Sequence, residues 1–346
     1  MATIKDVARL AGVSVATVSR VLNGSAVVSA PRRGRVQKAA ARLNYSPNVA
    51  ARSLITNRTH TIGVLLPDLF GEFFSEVIRG IDHAARDAQL HLLLSSSHAD
   101  TEELIAALRA MHGRIDGMIV MAPDIAAPKA LERARAEIPL VLIDPGLGAR
   151  SCDSISISNH EGAYLLVKHL LDLGHRRIAT ITGPPGNIDA EQRLAGYHKA
   201  LKDSGGERDP ELEIAGDFSE PSGYEGAMRL LALPRAPTAV FAANDYMAVG
   251  VLGALSDAGV RVPQDMAVGG FDDIAMARYL NPPLTTVRVD AYRLGRRAAE
   301  WLIGHRDLAA SRTPLREVMP TTLVVRGSCG AGGERSRAGV TRSRSH

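Results

Sequence analysis

Arg193, Asn244 and Asp272 stand far apart in the chain, yet each follows a short apolar run, and each offers paired donors or acceptors that match vicinal hydroxyls. Arg193 is reached from RIATITG (177–183) through Gly183-Pro184-Pro185-Gly186, Asn244 follows PTAVFAA (237–243), and Asp272 closes MAVGGFD (266–272). Converging on one cleft, the three would bind a polyhydroxylated ligand. Strand-end Asn and Asp also cap helices, so capping alone is an equal reading of Asn244 and Asp272 from residue type. The same logic marks Asp68, Phe70, Phe73 and Phe74 after TIGVLLP (61–67), Ser95 to Ser97 ending HLLLSSS (91–97), and Asp144 ending PLVLID (139–144). A different chemistry belongs to Val15, Ala16, Ser19, Arg20 and Asn23. They face outward from a short helix whose own unit has no use for that face, the shape of an element that reads base edges in a major groove.

Enzymatic chemistry finds little support. The chain has no G-x-x-x-x-G-K-[ST] loop, no G-x-S-x-G elbow and no G-x-G-x-x-G after its first strand. Asp272 and Asp273 are adjacent on a strand and point different ways, which suits neither a metal nor an acid–base pair. His160, His169 and His175 match no ligand spacing and read as surface residues. No catalytic residue, metal or cofactor is expected. Cys152 and Cys329 are far apart and fit no metal spacing, which favours a reduced cytoplasmic protein. MATIKDVARL lacks an apolar signal core and no run approaches ~18 apolar residues, so neither secretion nor a membrane span is expected.

The elements that carry the base-reading face begin at Thr3. Thr3 and Asp6 form a capping box, Ile4, Val7, Ala8 and Ala11 follow helical spacing, and Gly12 ends the helix. Ser14 is the N-cap of a second helix with Thr17 at N3; Val13 and Val18 staple its entry, and Val18, Val21 and Leu22 face inward. A third helix, about Pro31 to Leu43, sets Val36, Ala39, Ala40 and Leu43 against those two and turns Arg32, Arg33, Arg35, Lys38 and Arg42 outward. Charge follows this division. Residues 1–60 hold ten Lys or Arg against Asp6 alone, a net +9; the last twenty residues add +3; the whole chain is only +4, so residues 61–326 carry −8. A basic head on an acidic body is what a partner rich in phosphate selects. The segment NVAARSLITNRTH has helical composition and only a narrow apolar strip, so a partner must order it. Paired with its copy in a dimer it would lie in a minor groove, with Leu54 as the apolar wedge.

From Thr61 short, wholly apolar runs alternate with amphipathic helices, the pattern of parallel sheets covered on both faces. About ten strands exceed one open sheet of ordinary size, so two doubly wound lobes divided near residue 159 are expected, with ligand held between them at the strands' carboxyl ends. The expected organisation is a head, 1–46; a hinge helix and linker, 47–60; a core, 61–326, whose first lobe is mainly 61–159 and 285–305 and second mainly 160–284 and 315–326; and a flexible basic tail, 327–346.

TIKDVARLAGVSVATVSRVLN, LNYSPNVAARSL, TIGVLLPD, DGMIVM, GHRRIATITGP, RLAGY, AVFAANDYMAVG and VPQDMAVGGFDD occur in order over residues 2 to about 327. Together they resemble the lactose-repressor (LacI/GalR) family of bacterial transcription regulators. The resemblance implies an all-α helix-turn-helix head plus an α/β core, two doubly wound parallel-sheet lobes like the periplasmic sugar-binding proteins. It implies a cytoplasmic, nucleoid-associated homodimer on a near-palindromic double-stranded DNA operator. Base-reading positions fall on Val15, Ala16 and Arg20, with Ser14, Thr17 and Ser19 as phosphate or base-edge neighbours. Ala51 and Leu54 match the hinge residues that enter the minor groove, and Asn23 and Arg52 are further expected DNA contacts. Arg193, Asn244 and Asp272 match the principal effector-contacting positions, and Phe73, Asp144 and Phe218 less constant ones. Pro31, Arg32 and Gly34 depart from the family's usual start of the third helix, and the tail has no leucine heptad, so no tetramer is expected. The effector is expected to be a sugar or sugar phosphate. Relatives with similar hinge and Asp217-Phe218…Ser222-Gly223-Tyr224 segments bind purines, which Phe73 with Phe74 could stack, so a purine corepressor is the alternative. A sugar-binding sensor that docks no DNA and a sugar-metabolising enzyme are the weaker readings.

Overall fold

A computed structural model describes residues 2–22, 28–45, 58–122, 127–145, 152–305 and 313–330, divided into two units, Met1–His60 and Thr61–His346. In the first unit α1 (Ile4–Ala11) carries the expected capping box: Thr3 N–H donates to Asp6 Oδ2 at 3.0 Å, and the Thr3 hydroxyl accepts from Asp6 N–H. Gly12 ends it at φ 60°, a left-handed turn that a side chain would strain. Ser14 Oγ accepts from Thr17 N–H at 3.2 Å and so starts α2 (Val15–Leu22). α3 (Ala30–Arg42) starts regularly, with Pro31 in its first turn. Val7, Ala8, Ala11, Val18, Val21, Val36, Ala39 and Ala40 form this unit's own core, with Val13, Leu22 and Leu43 packed against it.

The second unit holds two six-stranded sheets. The first lobe contains β1 (Thr61–Leu66), α4 (Glu72–Asp87), β2 (His91–Ser96), α5 (Thr101–Met111), β3 (Met118–Met121), α6 (Pro128–Glu137), β4 (Leu140–Ile143) and β5 (Asp153–Ile157). The chain then crosses to α7 (Asn159–Asp172), β6 (Ile178–Thr182), α8 (Ile188–Asp203), β7 (Glu213–Ala215), α9 (Glu220–Leu231), β8 (Ala239–Ala242), α10 (Asp245–Asp257), β9 (Ala267–Asp272) and β10 (Thr285–Arg288). It returns for α11 (Ala291–His305) and β11 (Arg316–Met319), and crosses once more to β12 (Thr322–Val324). The sheet orders are β11-β5-β4-β3-β1-β2 and β12-β10-β9-β8-β6-β7, parallel throughout except for β10 with β12. Such strands need apolar side chains on both faces, and β3, β4 and β8 are buried at every residue.

The second and third crossings correct the expected boundaries. β10 pairs with β9, Thr285 opposite Gly269, so 285–288 belong to the second lobe, not the first. β11 pairs with β5, Arg316 opposite Ser154, so 316–319 belong to the first lobe, not the second. Nor does a tail begin at 327. Ser328 N–H bonds Pro283 O at 3.0 Å, Ser328 Oγ bonds Val268 O at 2.6 Å, and Cys329 is buried, so the folded core runs on through Gly330.

Close helix packing fixes the lobes. α4 meets α11 through facing glycines: a Cβ on Gly80 would lie 2.0 Å from Tyr292 O, and one on Gly295 2.0 Å from Val77 O. Glu72 of α4 touches the other lobe twice. Its Oε1 accepts from Ala275 N–H at 2.6 Å, and its N–H donates to the Tyr246 hydroxyl at 2.9 Å.

Candidate functional site

The cleft is organised about Arg193. Asn187 caps α8 by accepting from Ala190 N–H at 2.9 Å, and α8 then docks on α7 where Gly196 faces the His160 carbonyl. A turn before Gly196, the Arg193 guanidinium is 5 % exposed and almost fully engaged. Nε donates to Asn159 Oδ1 at 2.8 Å and Nη1 to Ala243 O at 2.6 Å. Nη2 lies 3.3 Å from Asp272 Oδ1, close enough for ion pairing but not aligned as a hydrogen bond. The Phe271 ring lies 3.9 Å from the guanidinium carbon and the Phe218 ring 5.7 Å, both in cation–π range. Asn159 is fully buried and passes the contact on, its Nδ2 donating to Asp189 Oδ1 at 3.0 Å. That amide orientation is forced, because arginine only donates and an ionised carboxylate only accepts.

Asp144 approaches from the end of β4. Its Oδ1 accepts from Ile157 N–H at 2.7 Å, while Oδ2 is buried with no hydrogen-bond partner among the described residues. Burial, reinforced by the Asp189 charge, raises the Asp144 carboxyl well above the usual carboxylate range. Burial likewise pushes Asp272 up to about 6, and Arg193 opposes that rise. Asp144, Phe218 and Asp272 also share an unusual backbone, with φ of 44°, 71° and 108°. Left-handed backbone is costly for side-chain-bearing residues, and its recurrence at one cleft marks a surface shaped for something other than stability.

The capping alternative divides. Asn244 does cap α10, its Oδ1 accepting from Met247 N–H at 2.9 Å, and its Nδ2 holds Phe218 O at 2.9 Å, so it sets the Phe218 loop. Asp272 caps nothing and faces Arg193. Asp273 points away, to Arg288 at 2.7 Å and Arg326 at 2.6 Å, as adjacent strand residues should. Phe73 meets Phe74 edge-on at 5.5 Å and packs on the core. Asp68 accepts from Leu69 and Phe70 N–H in a local turn.

In the head, Val15, Ala16 and Arg20 are exposed, Thr17 and Ser19 half-buried, and Ser14 is used as the cap. Asn23, Ala51, Arg52 and Leu54 lie outside the described residues.

Two profiles match the chain: bacterial regulatory proteins of the lacI family over residues 3–48, and the periplasmic binding protein-like domain over 167–329. The ribose operon repressor of Escherichia coli (strain K12) is 38 % identical over 330 residues, covering 95 % of this chain and 100 % of its own. The HTH-type transcriptional repressor PurR of Aliivibrio fischeri (strain MJ11) is 37 % identical over 307 residues, covering 88 % and 91 %. A solved lac repressor dimer, bound to operator and the anti-inducer ONPF, superposes with TM-score 0.84 at 32 % identity, covering 95 % and 99 %. The chain belongs to the lacI family. It is a DNA-binding transcriptional regulator with a ligand-binding core of the periplasmic-binding type. Both relatives are named as repressors. Among the described residues no helix is long and apolar enough to cross a membrane.

Two residues of the regulator's cleft escape a strand-end reading. Asp189 lies four positions before Arg193 on one helix, a spacing that puts both on one face and could have revealed it. Asn159 is brought in only by the docking of α7 on α8. Two histidines are also corrected. His169 and His175 are half-buried, near Cys329 Sγ at 3.4 Å and bonded to Thr238 Oγ1 at 3.0 Å, and burial lowers the His175 pKa.

Proposed function

We propose that the regulator represses transcription as a homodimer on a near-palindromic operator, and that a small sugar bound around Arg193 sets its DNA affinity. The observation that carries the ligand site is the buried Arg193–Asn159–Asp189 chain beside Asp144 and Asp272. Polar groups that deep are costly unless paired, and two carboxylate oxygens there lack an aligned donor. Sugar hydroxyls supply such donors, and the name of the ribose operon repressor favours a sugar. A purine is the second reading, favoured by Phe73, Phe74 and Phe218 and by the relative named PurR.

In the head, Val15, Ala16 and Arg20 read bases in the major groove, while Ser14, Thr17, Ser19 and Asn23 hold phosphates or base edges. Ala51, Arg52 and Leu54 enter the minor groove. Selection of bound sequences from a random duplex pool, followed by affinity measured against salt, tests this. A two-fold symmetric site and a steep fall of log K with log salt are expected. Asymmetric or salt-insensitive binding overturns the reading. Arg20→Ala should cost about 1–3 kcal/mol at one base pair in each half-site and leave the other positions unchanged.

A further inference from the structure

We propose that the cleft admits only effectors without negative charge, molecules that donate an O–H or N–H group to Asp272 and also bond Asp144, and that it rejects phosphorylated forms of the same molecules. This rests on the reading of the Arg193 cleft as the effector site.

The first argument is charge. Asp144 is 3 % exposed, Asp189 6 % and the Asp272 side chain 9 %, and among the described residues of this group Arg193 is the single cation. Burial favours the neutral form of Asp144, so in surroundings of low polarity an added negative charge would meet the Asp189 and Asp272 carboxylates against one guanidinium, with little water to screen it.

The second is the geometry of the guanidinium. Arginine grips a phosphate with a fork of two N–H groups on one edge. Here Nε is spent on Asn159, which closes the side-on Nε–Nη2 fork, and the end-on pair is already occupied at both nitrogens, Nη1 by Ala243 O and Nη2 by Asp272 at 3.3 Å, with one face covered by Phe271.

The third is the kind of vacancy left. Among the described residues Asp272 Oδ1 has no aligned donor, and its ionised form is satisfied only by one, while Asp144 Oδ2 has no partner and, in the neutral form that burial favours, can accept or donate. They also belong to different lobes, Asp144 to the end of β4 and Asp272 to the end of β9. A ligand that bonds both ties the lobes together, which links its recognition to lobe arrangement.

Isothermal titration of the full chain tests this with ribose against ribose 5-phosphate, adenine and guanine against their monophosphates, and a panel of neutral pentoses and hexoses. Within whichever pair binds, the neutral member should be favoured by at least ~100-fold at neutral pH, and Asp272→Asn or Asp189→Asn should narrow that ratio by ~10-fold or more. A phosphorylated member binding within tenfold of its neutral partner overturns the proposal. So does a ratio unchanged in both variants, or silence from every neutral compound. Binding of purine bases over their monophosphates, with no sugar bound, would retire the sugar reading and leave the charge rule standing.

Discussion

In the cleft the Asp272 carboxyl titrates near 6 because it is buried, whereas in an unfolded chain it would titrate near 3.8. The folded protein therefore keeps a proton through the window from pH 4 to 6 that the unfolded chain has released. Stability from this group is complete below pH 4 and is lost as pH rises through 6, by about 3 kcal/mol in all. Asp272→Asn removes the titration, so denaturant unfolding without added ligand should shift in favour of the variant by up to ~3 kcal/mol between pH 4 and 7.5. Parallel pH profiles for the two proteins would contradict the assignment. A ligand that donates to the ionised carboxylate should correspondingly bind more weakly as pH falls through 6. At this scale the sequence was informative where chemistry coincides with strand ends: Asp144, Asn244 and Asp272 stand at them, and Arg193 lies in the helix that follows β6. It was silent on Asn159, whose neighbours at 189 and 193 are set by tertiary docking alone.

Helix docking carries the site's precision. A Cβ on Gly196 would stand 2.2 Å from His160 O, so α8 can sit against α7 only without one. Gly196→Ala should force the helices apart at a cost of about 1–3 kcal/mol and draw Arg193 away from Asn159. Calorimetry should then show weaker ligand binding than the fall in stability alone explains, measured at a temperature where the variant is folded; unchanged affinity would contradict the argument. The elements of the core were legible to different degrees for a physical reason. β1, β3, β4, β6, β8 and β9 are buried on both faces and read as apolar runs. β5 is the mixed DSISI, and β7, β11 and β12 have only three or four residues, too few for a periodicity. The crossing points eluded the sequence because strand membership there is decided by pairing partners, which local composition does not encode.

For the whole molecule, the two lobes touch one another directly. Glu72 accepts from Ala275 N–H and donates its own N–H to Tyr246, a clasp that must open whenever the lobes separate. Glu72→Ala removes the carboxylate contact and keeps the backbone one. Ligand should then dissociate faster, by ~5- to 10-fold if the bond contributes about 1 kcal/mol or slightly more. Stopped-flow fluorescence from Trp301 or a labelled ligand measures this, and an unchanged off-rate would show that closure does not depend on the clasp.

The three crossings also bear on how the protein is made. Head residues form a local core of their own within the first stretch of chain, while the first lobe lacks its edge strand until Arg316–Met319 has been synthesised. A nascent or truncated chain ending before residue 316 would thus carry a finished DNA-reading head on an unfinished core. Such a product could compete for phosphate-rich sites without answering to any ligand, so losing even the last thirty or so residues would damage control before it damaged the head.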